Sequence, residues 1–94
     1  MRILGYIDHP VLKITVFKTD TRLSIKFENG QLEQTYKFRP TERTNSLLEV
    51  QKLVDEQLLE QVNSRFQIME RDFQAAFIRQ FPPLQEEEEF DEIL

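Results

Sequence analysis

Leu23-Ser24-Ile25-Lys26-Phe27-Glu28-Asn29-Gly30-Gln31-Leu32-Glu33-Gln34-Thr35-Tyr36-Lys37-Phe38 is the stretch that decides the fold. Two alternating runs flank Asn29-Gly30, a pair that tolerates the positive φ angles of a type I′ turn. A two-residue loop sets Glu28 opposite Gln31. Phe27 then faces Leu32, Ile25 faces Gln34 and Leu23 faces Tyr36, while the other side pairs Lys26 with Glu33 and Ser24 with Thr35. The register that gathers the apolar residues also pairs opposite charges, and this agreement is the reason to expect it.

The alternation continues upstream. Leu12, Ile14 and Val16 point inward, opposite Phe27, Ile25 and Leu23, and Ile3, Gly5 and Ile7 extend the apolar face onto a first strand. Gly5 has no side chain to present beside Ile14, which leaves a shallow place where a crossing helix can come close to the backbone. The turns, at His9-Pro10 and Thr19-Asp20, are weaker signals than Asn29-Gly30. The expectation is a four-stranded antiparallel meander.

Downstream of Arg39-Pro40, the vocabulary changes to Leu, Glu, Gln and Arg. Ser46-Leu47-Leu48-Glu49 fits a capping box, and neither Pro nor Gly occurs from Ser46 to Gln80. At ~100° per residue, Leu47, Val54, Leu58, Val62, Phe66, Met69, Phe73, Ala76 and Phe77 fall on about one-third of the circumference. Pro82-Pro83 ends the helix. The predicted class is α+β: a ββββα domain over residues 1–81 with one long amphipathic helix, and an acidic, disordered tail over 82–94.

Composition narrows the chemistry. The chain has 94 residues, 39% hydrophobic, with a net charge of -5 and no Cys, so one domain is the ceiling. Disulfide scaffolds, Cys-based zinc sites and a cysteine nucleophile are excluded. Charge is unevenly spread: residues 1–43 hold eight basic and five acidic residues, and residues 44–94 hold four and twelve. Only Gly5 and Gly30 are available, and neither opens a helix, so a Gly-rich phosphate loop cannot be built. The N-terminal run reaches Asp8 too soon for a signal-peptide core, and no apolar stretch of ~18 residues exists. Arg65, Arg71 and Arg79 form no basic stripe for a membrane surface. The reading is a soluble, cytoplasmic protein without membrane contact.

One length does not fit. A 35-residue helix would be about 52 Å long, whereas an eight-residue strand spans about 27 Å. With Leu47 to about Val62 packed on the sheet, Phe66, Met69, Phe73 and Phe77 project past it as an apolar band that needs a cover. Either the helix breaks near Asn63-Ser64 and folds back, or two chains pair these residues as a homodimer. The homodimer is preferred because Asn63-Ser64 is a weak breaker.

Three further groups are weighed for chemistry. His9, the only imidazole, lies in Asp8-His9-Pro10; a turn role outweighs a general base, since no nucleophile or oxyanion donor is recognisable nearby. The outward sheet face carries Leu4, Tyr6, Val11 and Phe17 among Lys13, Lys26 and Lys37. Tyr6, Lys13, Phe17, Lys26 and Lys37 form a candidate partner-binding face, and aromatic rings among cations also suit single-stranded nucleic acid. Glu86 to Glu89 are followed by Phe90, Ile93 and Leu94, a candidate docking tail for a basic, apolar groove. No cofactor and no metal is indicated. The expected function is a small non-enzymatic protein-interaction module that homodimerises through its helix and meets a protein partner. The alternatives are single-strand binding on the sheet, or an enzyme with a site shared across a dimer interface.

Overall fold

A computed structural model describes residues 1–84, and the acidic run with Phe90, Ile93 and Leu94 lies outside the described residues. The strands β1 (Arg2–Ile7), β2 (Lys13–Thr19), β3 (Arg22–Glu28) and β4 (Glu33–Phe38) form one antiparallel sheet in the order β1-β2-β3-β4. Two helices follow, α1 (Leu47–Leu53) and α2 (Glu56–Gln80). The α+β meander followed by a long helix is thus the architecture of the chain. Its core is Leu12, Ile14, Val16, Leu23, Ile25 and Phe27 from the sheet, with Val50 from α1 and Val62 and Phe66 from α2.

The inward faces of β2 and β3 are as expected, but the register differs. Phe27 lies opposite Gln34, Ile25 opposite Tyr36 and Leu23 opposite Phe38, so β4 has slid by two residues. The loop is the cause. Asn29 Oδ1 accepts from the backbone N–H groups of Gln31 and Leu32 at 3.0 and 2.8 Å, and Asn29 N–H donates to Leu32 O, so residues 29–32 form a four-residue turn. Gly30 supplies the left-handed conformation there, with φ 100°. Lys26 consequently faces Thr35 rather than Glu33, and its ion pair is with Glu28 at 3.7 Å. Between β2 and β3 the same slip sets Ile14 opposite Phe27 and Val16 opposite Ile25, around Asp20 with φ 38°. A slip of two preserves the pleat, which is why the core residues are unchanged.

In β1 the same slip of two holds for Gly5 to Ile7, which keep their inward face with Gly5 beside Val16 rather than Ile14, and only beyond a bulge does the slip become odd and the faces change. Ile7 pairs with Ile14 and Gly5 with Val16, but Ile3 pairs with Phe17 across a β-bulge at Leu4. Leu4 therefore packs against the core and Ile3 is exposed, the reverse of the alternation expected from the sequence. The Gly5 expectation holds in substance. A Cβ built there would lie 2.5 Å from Leu47 Cδ2, so the missing side chain is the seat of α1 on β1.

The helical stretch is not one rod. Val54 (φ -89°, ψ 72°) and Asp55 (φ -95°, ψ 179°) leave helical geometry and separate α1 from α2. Both starts are capped. Ser46 Oγ accepts from Glu49 N–H, Glu49 Oε1 accepts from Ser46 Oγ–H and Asn45 N–H, and Asp55 Oδ1 accepts from Leu58 N–H at 2.8 Å. The break lets Leu47 reach Gly5 on the β1 edge while α2 crosses to β4, where Gln34 Nε2 donates to Val62 O at 2.8 Å. A straight helix could not serve both edges. No break occurs at Asn63-Ser64, so α2 does not fold back on itself.

Candidate functional site

The break moves the point at which the helix outruns the sheet. Counting from Glu56, the 14 residues to Met69 span about 21 Å, close to the ~23 Å of a seven-residue strand. Phe66 is accordingly buried, at 4% exposure, and Met69 is packed against the core, so neither belongs to the projecting band predicted from the sequence. Phe73 and Phe77 do project, at 63% and 51% exposure. They are joined by Phe81, which the sequence reading left out although the i, i+4, i+8 spacing of the three phenylalanines announces it. The ring centroids are 6.3 Å apart for Phe73 and Phe77 and 5.3 Å for Phe77 and Phe81, so the three form a ladder along one side of α2. Ile78 is exposed on the flank. At the base of the ladder a cleft of about 250 Å³ opens between the β3–β4 turn and α2, lined by Gln31, Leu32, Glu70, Phe73 and Gln74.

The outward sheet face brings together most of the residues expected there. Lys13 Nζ lies 5.9 Å from the Tyr6 ring centroid, and Lys26 Nζ lies 5.2 Å from that of Phe17. Each cation therefore rests near an aromatic ring of its own chain. Thr15 and Ser24 are buried between them, Thr15 flanked by Tyr6 and Lys26 and Ser24 by Phe17 and Lys37. Lys37 and Tyr6 are exposed, whereas Phe17 and Lys26 are half-buried. Glu28 and Glu33 stand side by side at the end of this face, which dilutes its positive charge. Ile3, not Leu4, completes its apolar part.

His9 is a turn residue. Its Nδ1 accepts from the backbone N–H groups of Val11 and Leu12 at 3.1 and 3.0 Å, which fixes the ring and leaves only Nε2 to face outward. It borders a cleft of about 460 Å³ that also touches Glu56, Leu59, Glu60 and Asn63. Among the described residues, no three His, Asp or Glu side chains gather at metal-binding distance, and no helix is long and apolar enough to cross a membrane.

A groove of about 330 Å³ not foreseen in the sequence runs beside the β4 edge, between Ile25, Tyr36 and Phe38 on the sheet and Leu53 and Leu58 on the helices. It exists because α1 and α2 diverge at Val54, a consequence of the break.

No family model matches this chain, and no curated protein or solved structure is significantly similar to it.

Proposed function

We propose that the chain is a small non-enzymatic protein-interaction module that self-associates through the distal half of α2 and offers its outward sheet face to a protein partner. The observation that carries this reading is the Phe73-Phe77-Phe81 ladder, two aromatic side chains on the part of α2 that runs past the sheet and a third at its C-cap. An exposed apolar stripe continuous with a buried core face has the composition of an interface. Residues 70–80 meet little of the sheet among the described residues, and a helix segment of that length is marginal in water, so association stabilises the helix itself. The engagement of His9 Nδ1 by two backbone amides supports a scaffold role for the only imidazole. On the sheet, lysines placed near the Tyr6 and Phe17 rings favour contact with a protein surface over base stacking, which needs open ring faces.

Sedimentation equilibrium at micromolar concentration tests this. The expected result is a mass of two chains that falls to one in Phe73→Ser/Phe77→Ser with unchanged far-ultraviolet circular dichroism at 222 nm per folded domain, apart from the ~11 residues of the overhang. A mass of one chain throughout the micromolar range would overturn it.

A further inference from the structure

We infer that a second copy of this chain pairs with the free edge of β4, antiparallel and about a twofold axis at Thr35, so that the two sheets become one. The inference rests on the self-association reading and gives it a seam. The two edges of the sheet differ. β1 is interrupted by the bulge at Leu4 and has Leu47 of α1 seated on Gly5, both of which blunt an edge. β4 runs regularly along β3 from Glu33 to Phe38.

Backbone alternation fixes which groups this edge offers. Asn29 N–H donates to Leu32 O in the register that continues through Phe27–Gln34, Ile25–Tyr36 and Leu23–Phe38, so Gln34, Tyr36 and Phe38 turn their N–H and C=O groups toward β3. Glu33, Thr35 and Lys37 turn theirs away from it. The side chains of these residues are exposed as well. An antiparallel copy must match outward-turned residues with one another. Centred on Thr35, it sets Glu33 against the partner's Lys37, and the twofold axis generates the pair again. An axis at Gln34 or Tyr36 would leave Lys37 opposite Gln31 or Thr35 instead.

The seam accounts for features that the single chain leaves open. Glu33 has Glu28 as its cross-strand neighbour, like charges side by side, and neither Glu33 nor Lys37 has an ion pair among the described residues. Each gains its opposite charge across the seam. On the inward face the same register sets Leu32 against the partner's Phe38. The cleft that Leu32 borders with Phe73 thereby comes beside the groove that the partner's Phe38, Leu53 and Leu58 border. The helices fit too. Gln34, which holds Val62 of α2, lies opposite the partner's Tyr36, so the two attachment points are two residues apart along the strands and one strand spacing across, ~8 Å in all. That is the spacing of packed helices.

Because the chain has no cysteine, one substitution carries one spin label. Lys13→Cys stands on the outward face of β2, in the row of Glu28 and Glu33. With strands ~4.8 Å apart and ~3.3 Å per residue, the seam predicts a separation of about 27 Å between the two labelled positions by electron–electron double resonance. A separation outside ~20–35 Å, in a sample whose sedimentation mass is two chains, overturns the seam while leaving self-association standing. One chain's mass throughout the micromolar range overturns both. Charge reversal supplies a second arm. Glu33→Lys and Lys37→Glu should each weaken dimerisation about 10-fold, since each brings like charges together at both symmetric contacts, and the double reversal should restore it. A double variant no tighter than the product of the single effects overturns the axis at Thr35.

Discussion

Residues 56–69 and 70–80 of α2 carry one unbroken apolar stripe, yet they live in different surroundings. In the first segment Val62 and Phe66 are buried against the strands; in the second Phe73 and Phe77 are more than half exposed. Helical periodicity fixes which side of the rod is apolar, but the length of the sheet fixes how much of that side is covered. The difference separates two settings for the same residue type: Phe66 holds the domain together, and Phe73 and Phe77 are the exposed rings to which we assign the proposed self-contact.

The largest expected effect breaks the first segment. Phe66→Ala removes a buried ring and should cost ~3–5 kcal/mol of domain stability, read as a lower midpoint in urea denaturation. Phe73→Ala, a change of the same chemistry seven residues on, should leave the monomer's midpoint nearly unchanged at dilution; an equal loss in both variants would erase the distinction. Phe73→Ser/Phe77→Ser should weaken self-association by about 100-fold or more, as expected for two central aromatic anchors. That effect is read by sedimentation.

Smaller effects sharpen how α2 is placed. Gly5→Ala should cost about 1 kcal/mol, since the new Cβ would meet the mobile end of Leu47, and the penalty should shrink in a Leu47→Ala background. Independent, additive effects would show that α1 is not seated on Gly5. Asp55→Ala should cost ~1 kcal/mol by removing the cap that starts α2. In chemical-shift analysis the first turn of α2 should fray, with the segment beyond Val62 unaltered.

Much of the domain was legible from alternation and helical spacing, because both depend on which side of an element is apolar. Leu12, Ile14, Val16, Leu23, Ile25 and Phe27 were placed correctly even though their pairing partners differ, since a slip of two residues leaves the pleat unchanged. The four-residue turn was not legible, because Asn29-Gly30 suits a tight turn equally well until the Asn29 side chain takes the amides of Gln31 and Leu32. The bulge at Leu4 left no local mark. The division at Val54-Asp55 does leave one, since Asp followed by Glu56 and a renewed apolar spacing is an N-cap, but a faint one because no Gly or Pro accompanies it. With an unbroken helix Phe66 and Met69 fall beyond the sheet; the break brings them over it and opens the groove beside β4, where the two helices diverge. The outward face was read largely correctly, with Ile3 exchanged for Leu4.

Residue-resolved amide hydrogen exchange along α2, followed as a function of protein concentration, confronts the two segments directly. The account predicts that protection in residues 70–80 rises steeply as concentration increases through the micromolar range, while protection in residues 56–69 stays at its high, concentration-independent level. Distal amides that exchange at the same rate at every concentration, or that are already as protected as the proximal ones in dilute solution, would contradict it.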